Sequence, residues 1–219
     1  MNLEVLRGAL FDANCYVMWL PGASEALVVD PGPGTATQVA QVLSREGLTP
    51  GAVLLTHGHI DHVWEVAQVA GDAPVFIPAG DAFMLEDPAG LLGLRGATLG
   101  LGEWVEPANV VELGAETFNP LPGLAMRVVP APGHSPGSAL FLFSPTPGDG
   151  PAALSGDVIF AGSIGRSDLP GGDAKVMDET LRTLVDVVDP ATILFPGHGP
   201  QTQWGHEQST NPFVRAAQR

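Results

Sequence analysis

The stretch Thr56-His57-Gly58-His59-Ile60-Asp61-His62 places three histidines and an aspartate within six consecutive positions of a chain that holds 6 histidines in 219 residues. Imidazole nitrogen and carboxylate oxygen are ligands for zinc and other first-row divalent ions. If the segment is extended, His57 and His59 project to one face, because strand side chains alternate with period two. They would then grip one ion, while Asp61 and His62, at the turn into a helix, reach another.

Three further residues share this chemistry. His134 follows the apolar run Ala125–Val129, Asp157 follows Ala152–Gly156, and His198 follows Thr192–Gly197. With the first cluster, four apolar runs each end in ligand-type residues beside glycine. Ligands at the C-terminal ends of strands converge on one sheet edge, where open α/β proteins commonly place their sites. Seven candidates, His57, His59, Asp61, His62, His134, Asp157 and His198, exceed one four-coordinate ion and suit two. Structural zinc is usually closed by cysteines, and here the single Cys15 cannot serve. The pattern therefore points to a catalytic centre with open positions. His206 follows no strand and reads as a surface residue. Cys15 has no activating base beside it and reads as a small buried apolar residue.

The elements that must position these ligands follow from periodicity. Residues 3–11, 14–20, 26–29, 51–55, 74–77, 125–129, 138–143, 152–156 and 192–197 read as strands. Thr35 or Thr37 caps a first helix with the stripe Val39, Val42 and Leu43, ended by Gly47. Val63, Val66, Ala67 and Ala70 predict one helix directly after the histidine cluster. Asp173 caps the clearest helix, with stripe Leu181, Leu184, Val185 and Val188, closed by Pro190. Asp30, in Asp30-Pro31-Gly32, reads first as a turn former and second as a support behind the metals. Residues 79–109 have no clean period. They are expected either to wall a pocket or to form a surface excursion, with Phe83–Asp87 as a helical turn.

Composition bounds the partners. Hydrophobic content of 45% is that of a globular chain, and no interdomain linker or short repeat is visible. The formal charge of −15, with Lys175 as the one lysine, disfavours a nucleic-acid partner. Charge interrupts the N-terminal residues too early for a signal peptide, and no apolar run approaches a membrane span. A cytoplasmic location, with no membrane partner, is expected.

The pattern His57-x-His59-x-Asp61-His62, then His134, Asp157 and His198, resembles the metallo-β-lactamase fold superfamily across essentially the whole chain. Two stretches narrow the likeness: Gly156–Asp173 with Gly165-Arg166-Ser167-Asp168 at its centre, and Pro196-Gly197-His198-Gly199-Pro200, followed by Asn211-Pro212-Phe213. They look like the small bacterial glyoxalase II-like hydrolases. The resemblance implies an α/β fold, an αββα sandwich of two mixed sheets in one domain over residues 1–219, with pseudo-halves of about 1–115 and 116–219. It implies that His57, His59 and His134 hold the first ion and Asp61, His62 and His198 the second. Asp157 would bridge, and Asp61 would orient the attacking hydroxide. The ions are expected to be zinc, with iron or manganese as alternatives.

The implied substrate is a thioester such as S-lactoylglutathione, with Arg166 as its contact for a carboxylate; an Asp168 ion pair is the competing reading of Arg166. Full-length glyoxalase II adds a helical domain that helps hold glutathione, so weaker selection for that carrier is expected here. A persulfide dioxygenase of the same superfamily is the nearest rival, with one iron on His57, His134 and Asp157. The Gly197–Pro200 turn leans to the hydrolases, because the dioxygenases more often carry aspartate and tyrosine after that histidine. A zinc β-lactamase would more usually have cysteine at position 157, and a nuclease would be less acidic. A non-enzymatic metal-binding module would need no open coordination positions.

Overall fold

The computed structural model describes residues 1–144 and 150–219. The first sheet is built from β1 (Asn2–Arg7), β2 (Asn14–Trp19), β3 (Glu25–Val29), then, after helix α1 (Ala36–Glu46), β4 (Thr49–Leu54). Two short helices, α2 (Ile60–Val63) and α3 (Val66–Ala70), lead to β5 (Val75–Pro78). Three 3-10 segments, Ala79–Leu85, Gly90–Leu92 and Gly96–Leu99, precede β6 (Val110–Leu113). The strands lie in sequence order, antiparallel from β1 to β3 and parallel from β3 to β6.

The second sheet uses β7 (Thr117–Leu121), β8 (Leu124–Pro130), β9 (Ala139–Phe143) and β10 (Ala152–Gly156). A small ribbon, β11 (Ile159–Phe160) with β12 (Ser163–Ile164), stands apart, followed by α4 (Ala174–Val187). β13 (Ile193–Pro196) and β14 (Thr202–Gln203) complete the sheet in the order β14-β13-β10-β9-β8-β7, and α5 (Trp204–Thr210) and α6 (Pro212–Ala217) end the chain.

The period of two sorts the core into three layers. In β2, Cys15 and Val17 face the helices with Val39, Val42 and Val63. Tyr16 and Met18 face the opposite way, meeting Leu54, Phe118, Met126 and Phe141 between the sheets. Beyond the second sheet, Leu140 and Ala153 pack on Leu181, Leu184 and Trp204. The result is helices, sheet, sheet, helices, with both sheets mixed. Among the described residues no helix is long and apolar enough to cross a membrane.

Several local expectations need correction. The first strand stops at Arg7 rather than running to residue 11, because Phe11 and Asp12 sit at φ of 55° and 54° in a turn. The helix expected after the histidine cluster breaks at Trp64-Glu65. Glu65 leaves the helical line (φ −104°, ψ 15°), and its carboxylate accepts the N–H groups of Gly34 at 2.8 Å and Ala36 at 2.5 Å. It therefore supplies the anionic N-cap of α1. Of the two expected caps, Thr37 lies inside α1, and Thr35, at the N-cap position, instead donates its hydroxyl to Gly32 O at 2.7 Å. Gly47 ends α1 at φ 68°, and Asp173 caps α4 through the N–H groups of Lys175 and Val176, both as expected.

Candidate metal centre

Asp30 and the histidine loop follow the C-terminal ends of the parallel pair β3 and β4, and Asp157 and His198 follow those of the parallel pair β10 and β13. The two sheet edges are fastened together by Asn14, whose N–H donates to Gly197 O at 2.7 Å and whose Nδ2 donates to Pro196 O at 2.8 Å. Tight backbone contacts are needed there. A Cβ on Gly197 would lie 2.1 Å from Asp157 Oδ1, and one on Gly156 would lie 2.6 Å from Thr56 Oγ1.

The hydrogen bonds fix the histidine tautomers by inference from their partners. His134 Nδ1 lies 2.7 Å from Arg166 O, and His198 Nδ1 lies 3.0 Å from Phe11 O. Carbonyl oxygens only accept, so both Nδ1 atoms carry hydrogen. His62 Nδ1 meets Asp30 Oδ2 at 3.2 Å. Thr56 gives its hydroxyl hydrogen to Asp30 Oδ2, so at 3.1 Å it accepts from His57 Nδ1. In the neutral ring, all four Nε2 atoms are then lone pairs turned inward.

Those lone pairs face one another. His134 Nε2 is 3.2 Å from His57 Nε2, and His62 Nε2 is 3.3 Å from His198 Nε2, while His59 Nδ1 lies 2.8 Å from His134 Nε2, where its N–H tautomer can donate. Two lone pairs cannot share a hydrogen bond without a proton or cation between them. Tetrahedral ligands at ~2.0–2.1 Å from a zinc ion lie roughly 3.3 Å apart, close to these separations. His57, His59 and His134 form one such group, and Asp61, His62 and His198 a second, with Asp61 Oδ2 at 3.3 Å from His198 Nε2 and 3.6 Å from His62 Nε2. Asp157 lies between them. Its Oδ2 is 3.5 Å from His134 Nε2 and 3.4 Å from His198 Nε2, and its Oδ1, 3.5 Å from His62 Nε2, is buried with no hydrogen-bond partner among the described residues. An orphaned buried carboxylate oxygen beside converging lone pairs fits a cation.

The electrostatics differ between the groups. Burial, reinforced by the neighbouring imidazoles, holds His57 well below its usual pKa and takes His59 down to about 4. Burial also pulls on His62 and His198, but the nearby carboxylates of Asp61 and Asp157 outweigh it and raise them to about 9 and about 10. Without a metal, protons occupy the place that the negative field of the second group offers to a cation. Burial alone would raise the Asp61 and Asp157 carboxyls; the facing histidines instead hold both below the usual carboxylate range.

Asp30, His57 and His62 also approach one another. Asp30, however, already accepts from Thr56 N at 2.8 Å, Thr56 Oγ1 at 2.7 Å and His62 Nδ1. Its side chain thus braces the loop from behind, reversing the preference for a simple turn role, although its φ of 51° does belong to a turn. Arg166 lines the cavity, and its exposed guanidinium pairs with Asp168 through two contacts of 2.7 Å. His206 is exposed and Cys15 fully buried, its thiol pushed far up by burial, as expected of bystanders.

Sequence reasoning missed Asp81. This buried carboxylate accepts from Gly58 N, Ser135 Oγ and Gly137 N, at 3.0, 2.6 and 2.6 Å. Its one signal was a carboxylate directly after the strand end Pro78-Ala79-Gly80. A cavity of about 560 Å³ opens beside the ligands, and Leu92 and Leu94 from the irregular segment help line it. That segment therefore contributes a pocket wall.

The Metallo-beta-lactamase superfamily model matches residues 8–198. The hydroxyacylglutathione hydrolase GloC of Haemophilus influenzae is 31% identical over 99% of both chains. The crystal structure of TTHA1623 in a di-iron-bound form is 33% identical, with a TM-score of 0.79 over 96% of this chain and 99% of that one. The crystal structure of BLEG-1 B3 metallo-beta-lactamase is 31% identical, with a TM-score of 0.80 over 97% and 99%.

Proposed function

The chain belongs to the metallo-beta-lactamase superfamily, and from that premise we propose that it is a two-metal hydrolase of small thioesters of the S-lactoylglutathione type. One observation carries the choice of leaving group. Among the described residues, Ser163 and Arg166 are the only polar side chains lining the cavity outside the candidate ligands. Neither is a proton donor near neutral pH. A thiolate, with a conjugate pKa of ~8.5, departs without such help. The likeness to GloC points to the same substrate class.

In this reading His57, His59 and His134 would hold one ion, and Asp61, His62 and His198 the other, with Asp157, which lies between the groups, available to both. The di-iron form of TTHA1623 supports two ions; imidazole and carboxylate do not choose strongly among zinc, iron and manganese. Bound divalent ions would supply the Lewis acidity that ionises water near pH 7 and polarises the acyl carbonyl. The protein does the positioning. The carbonyls of Arg166 and Phe11 fix the ring planes of His134 and His198, and Asp30 fixes His62. Asp61, lining the cavity, accepts a hydrogen bond from the attacking water and orients it. Water oxygen bonds to the acyl carbon, the C–S bond breaks, and sulfur leaves with the electron pair. The products are a carboxylate and a thiol, with one proton released to solvent. Arg166 offers its charge at the cavity to a carboxylate of the carrier. The reaction belongs in the cytoplasm, with a small-molecule partner and neither nucleic acid nor membrane.

β-Lactam hydrolysis is the second reading, favoured by the likeness to BLEG-1. A leaving amide nitrogen needs a proton, and among the described residues the cavity lining holds no side-chain acid outside the ligand set, so the thioester is preferred. The test is one metal-loaded sample assayed for thiol release from S-D-lactoylglutathione, for β-lactam ring opening and for oxygen uptake with glutathione persulfide, alongside elemental analysis. Thiol release with about two ions per chain is expected. Oxygen uptake on a single iron, or ring opening without thiol release, would replace the assignment.

A further inference from the structure

We infer that the cavity holds the acyl part of its substrate against an apolar wall, so that unbranched aliphatic acyl thioesters are better substrates than the hydroxyacyl lactoyl group. This rests on the thioester reading above and specifies the acyl class. Four separate segments supply the wall: Phe11 from the turn after β1, Leu92 and Leu94 from the irregular segment, Phe160 and Ile164 from the ribbon, and Leu169 beyond it. Phe11 is 64% exposed, and the other five are half-buried. Large apolar side chains left in contact with water around a reactive centre mark a surface completed by a ligand. Phe160 also packs edge-on against His198, with ring centroids 5.8 Å apart, so the wall is continuous with the ligand set.

The polar inventory points the same way. A site that selects a hydroxyacyl group needs a hydrogen-bonding partner for the hydroxyl, and such partners give sharp discrimination. Here, among the described residues, the polar lining outside the candidate ligands is Ser163, whose Oγ lies 3.5 Å from Ile164 O, and Arg166, which the thioester reading assigns to a carboxylate of the carrier. A hydroxyl against Leu92, Leu94 or Phe160 would lose its water contacts without replacement. A methylene there gains by leaving water.

The test uses S-acyl-N-acetylcysteamine thioesters from acetyl to octanoyl, whose neutral thiol removes any effect of Arg166, with S-D-lactoylglutathione as reference. Each methylene that reaches the wall should raise kcat/KM about two- to fourfold, giving at least a tenfold rise from acetyl to hexanoyl. Leu94→Ala should lower the hexanoyl-to-acetyl ratio about fivefold. A second readout needs no turnover: S-alkyl-N-acetylcysteamine thioethers should bind metal-free protein more tightly as the chain lengthens. If Leu94→Ala fails to fold, the unmodified chain still decides through both series. Cleavage of S-D-lactoylglutathione with a flat or falling acyl series overturns the wall and leaves the hydrolase intact. Thioether binding that tightens with length, in a protein that cleaves no thioester, upholds the wall and removes the hydrolase.

Discussion

Asp81 accepts the backbone N–H of Gly58 at 3.0 Å, and Gly58 is the residue between His57 and His59. The same carboxylate takes Ser135 Oγ and Gly137 N, just beyond His134. One side chain thus ties together the two loops that carry the first ligand group. Burial raises its pKa, and its three hydrogen bonds pull it partly back. The second group is braced elsewhere, by Asp30 on His62 and Phe11 O on His198.

Asp81→Ala should therefore separate the two sites. It leaves the N–H groups of Gly58 and Gly137 without partners, each at a cost of about 1–3 kcal/mol, so the thermal midpoint should fall. Loss of such outer support typically costs about 10–100-fold in metal affinity. That loss should fall on the first ion, with the second changed much less. Competition titrations with a chromophoric chelator resolve the two steps. Equal weakening of both ions would reduce Asp81 to a general stabiliser.

Asp157→Ala removes the carboxylate that stands between the groups. Two cations would face each other without it, which low-dielectric surroundings penalise. Metal content should drop from about two ions per chain to one or fewer, and turnover should fall with it. Elemental analysis and thiol release on the same preparation check this. A variant with full metal content and unchanged turnover would exclude a shared role.

The ligands were legible because coordination chemistry demands particular side chains, and their places at strand ends show in the local pattern around His57, His134, Asp157 and His198. The layering was legible through alternation in runs such as Asn14–Trp19. What escaped depends on partners far along the chain. Asp81 acts on backbone groups 23 and 56 residues away, and its third partner is 54 residues away. Backbone N–H groups have no sequence signature. The break at Glu65 arises because it caps a helix 29 residues earlier. Arg166 shows both kinds of information at once. Its guanidinium carries a sequence signature, while the backbone carbonyl that aims His134 carries none.

Arg166→Ala tests the guanidinium alone, because the carbonyl that holds His134 stays in place. The side chain is well exposed and already paired with Asp168, so a substrate carboxylate would exchange one partner for another. A several-fold rise in KM for a glutathione thioester is expected, with kcat and the KM of a neutral thioester unchanged. Equal changes for the two substrates would assign Arg166 to the loop rather than to the substrate.

Metal uptake should release protons, and unequally. In metal-free protein near pH 7.5, His57 and His59 are already neutral, while His62 and His198, raised to about 9 and about 10, are protonated. A cation entering the second group must displace those two protons. Calorimetric titration in buffers of different ionisation enthalpy should show about two protons leaving with that group. Its affinity should rise roughly tenfold per pH unit for each proton still to be displaced. The linkage has a matching sign in stability. Histidines whose folded pKa lies above the unfolded value of ~6.5 stabilise the fold fully below that pH. The contribution is lost as pH climbs through about 9 and about 10. The thermal midpoint of stripped protein should fall between pH 7 and 10, while the metal-loaded form, whose second group carries no such protons, should not follow it. A stripped protein whose midpoint rises across that window, with no proton release on loading, would mean that the carboxylates of Asp61 and Asp157 do not hold the second group protonated.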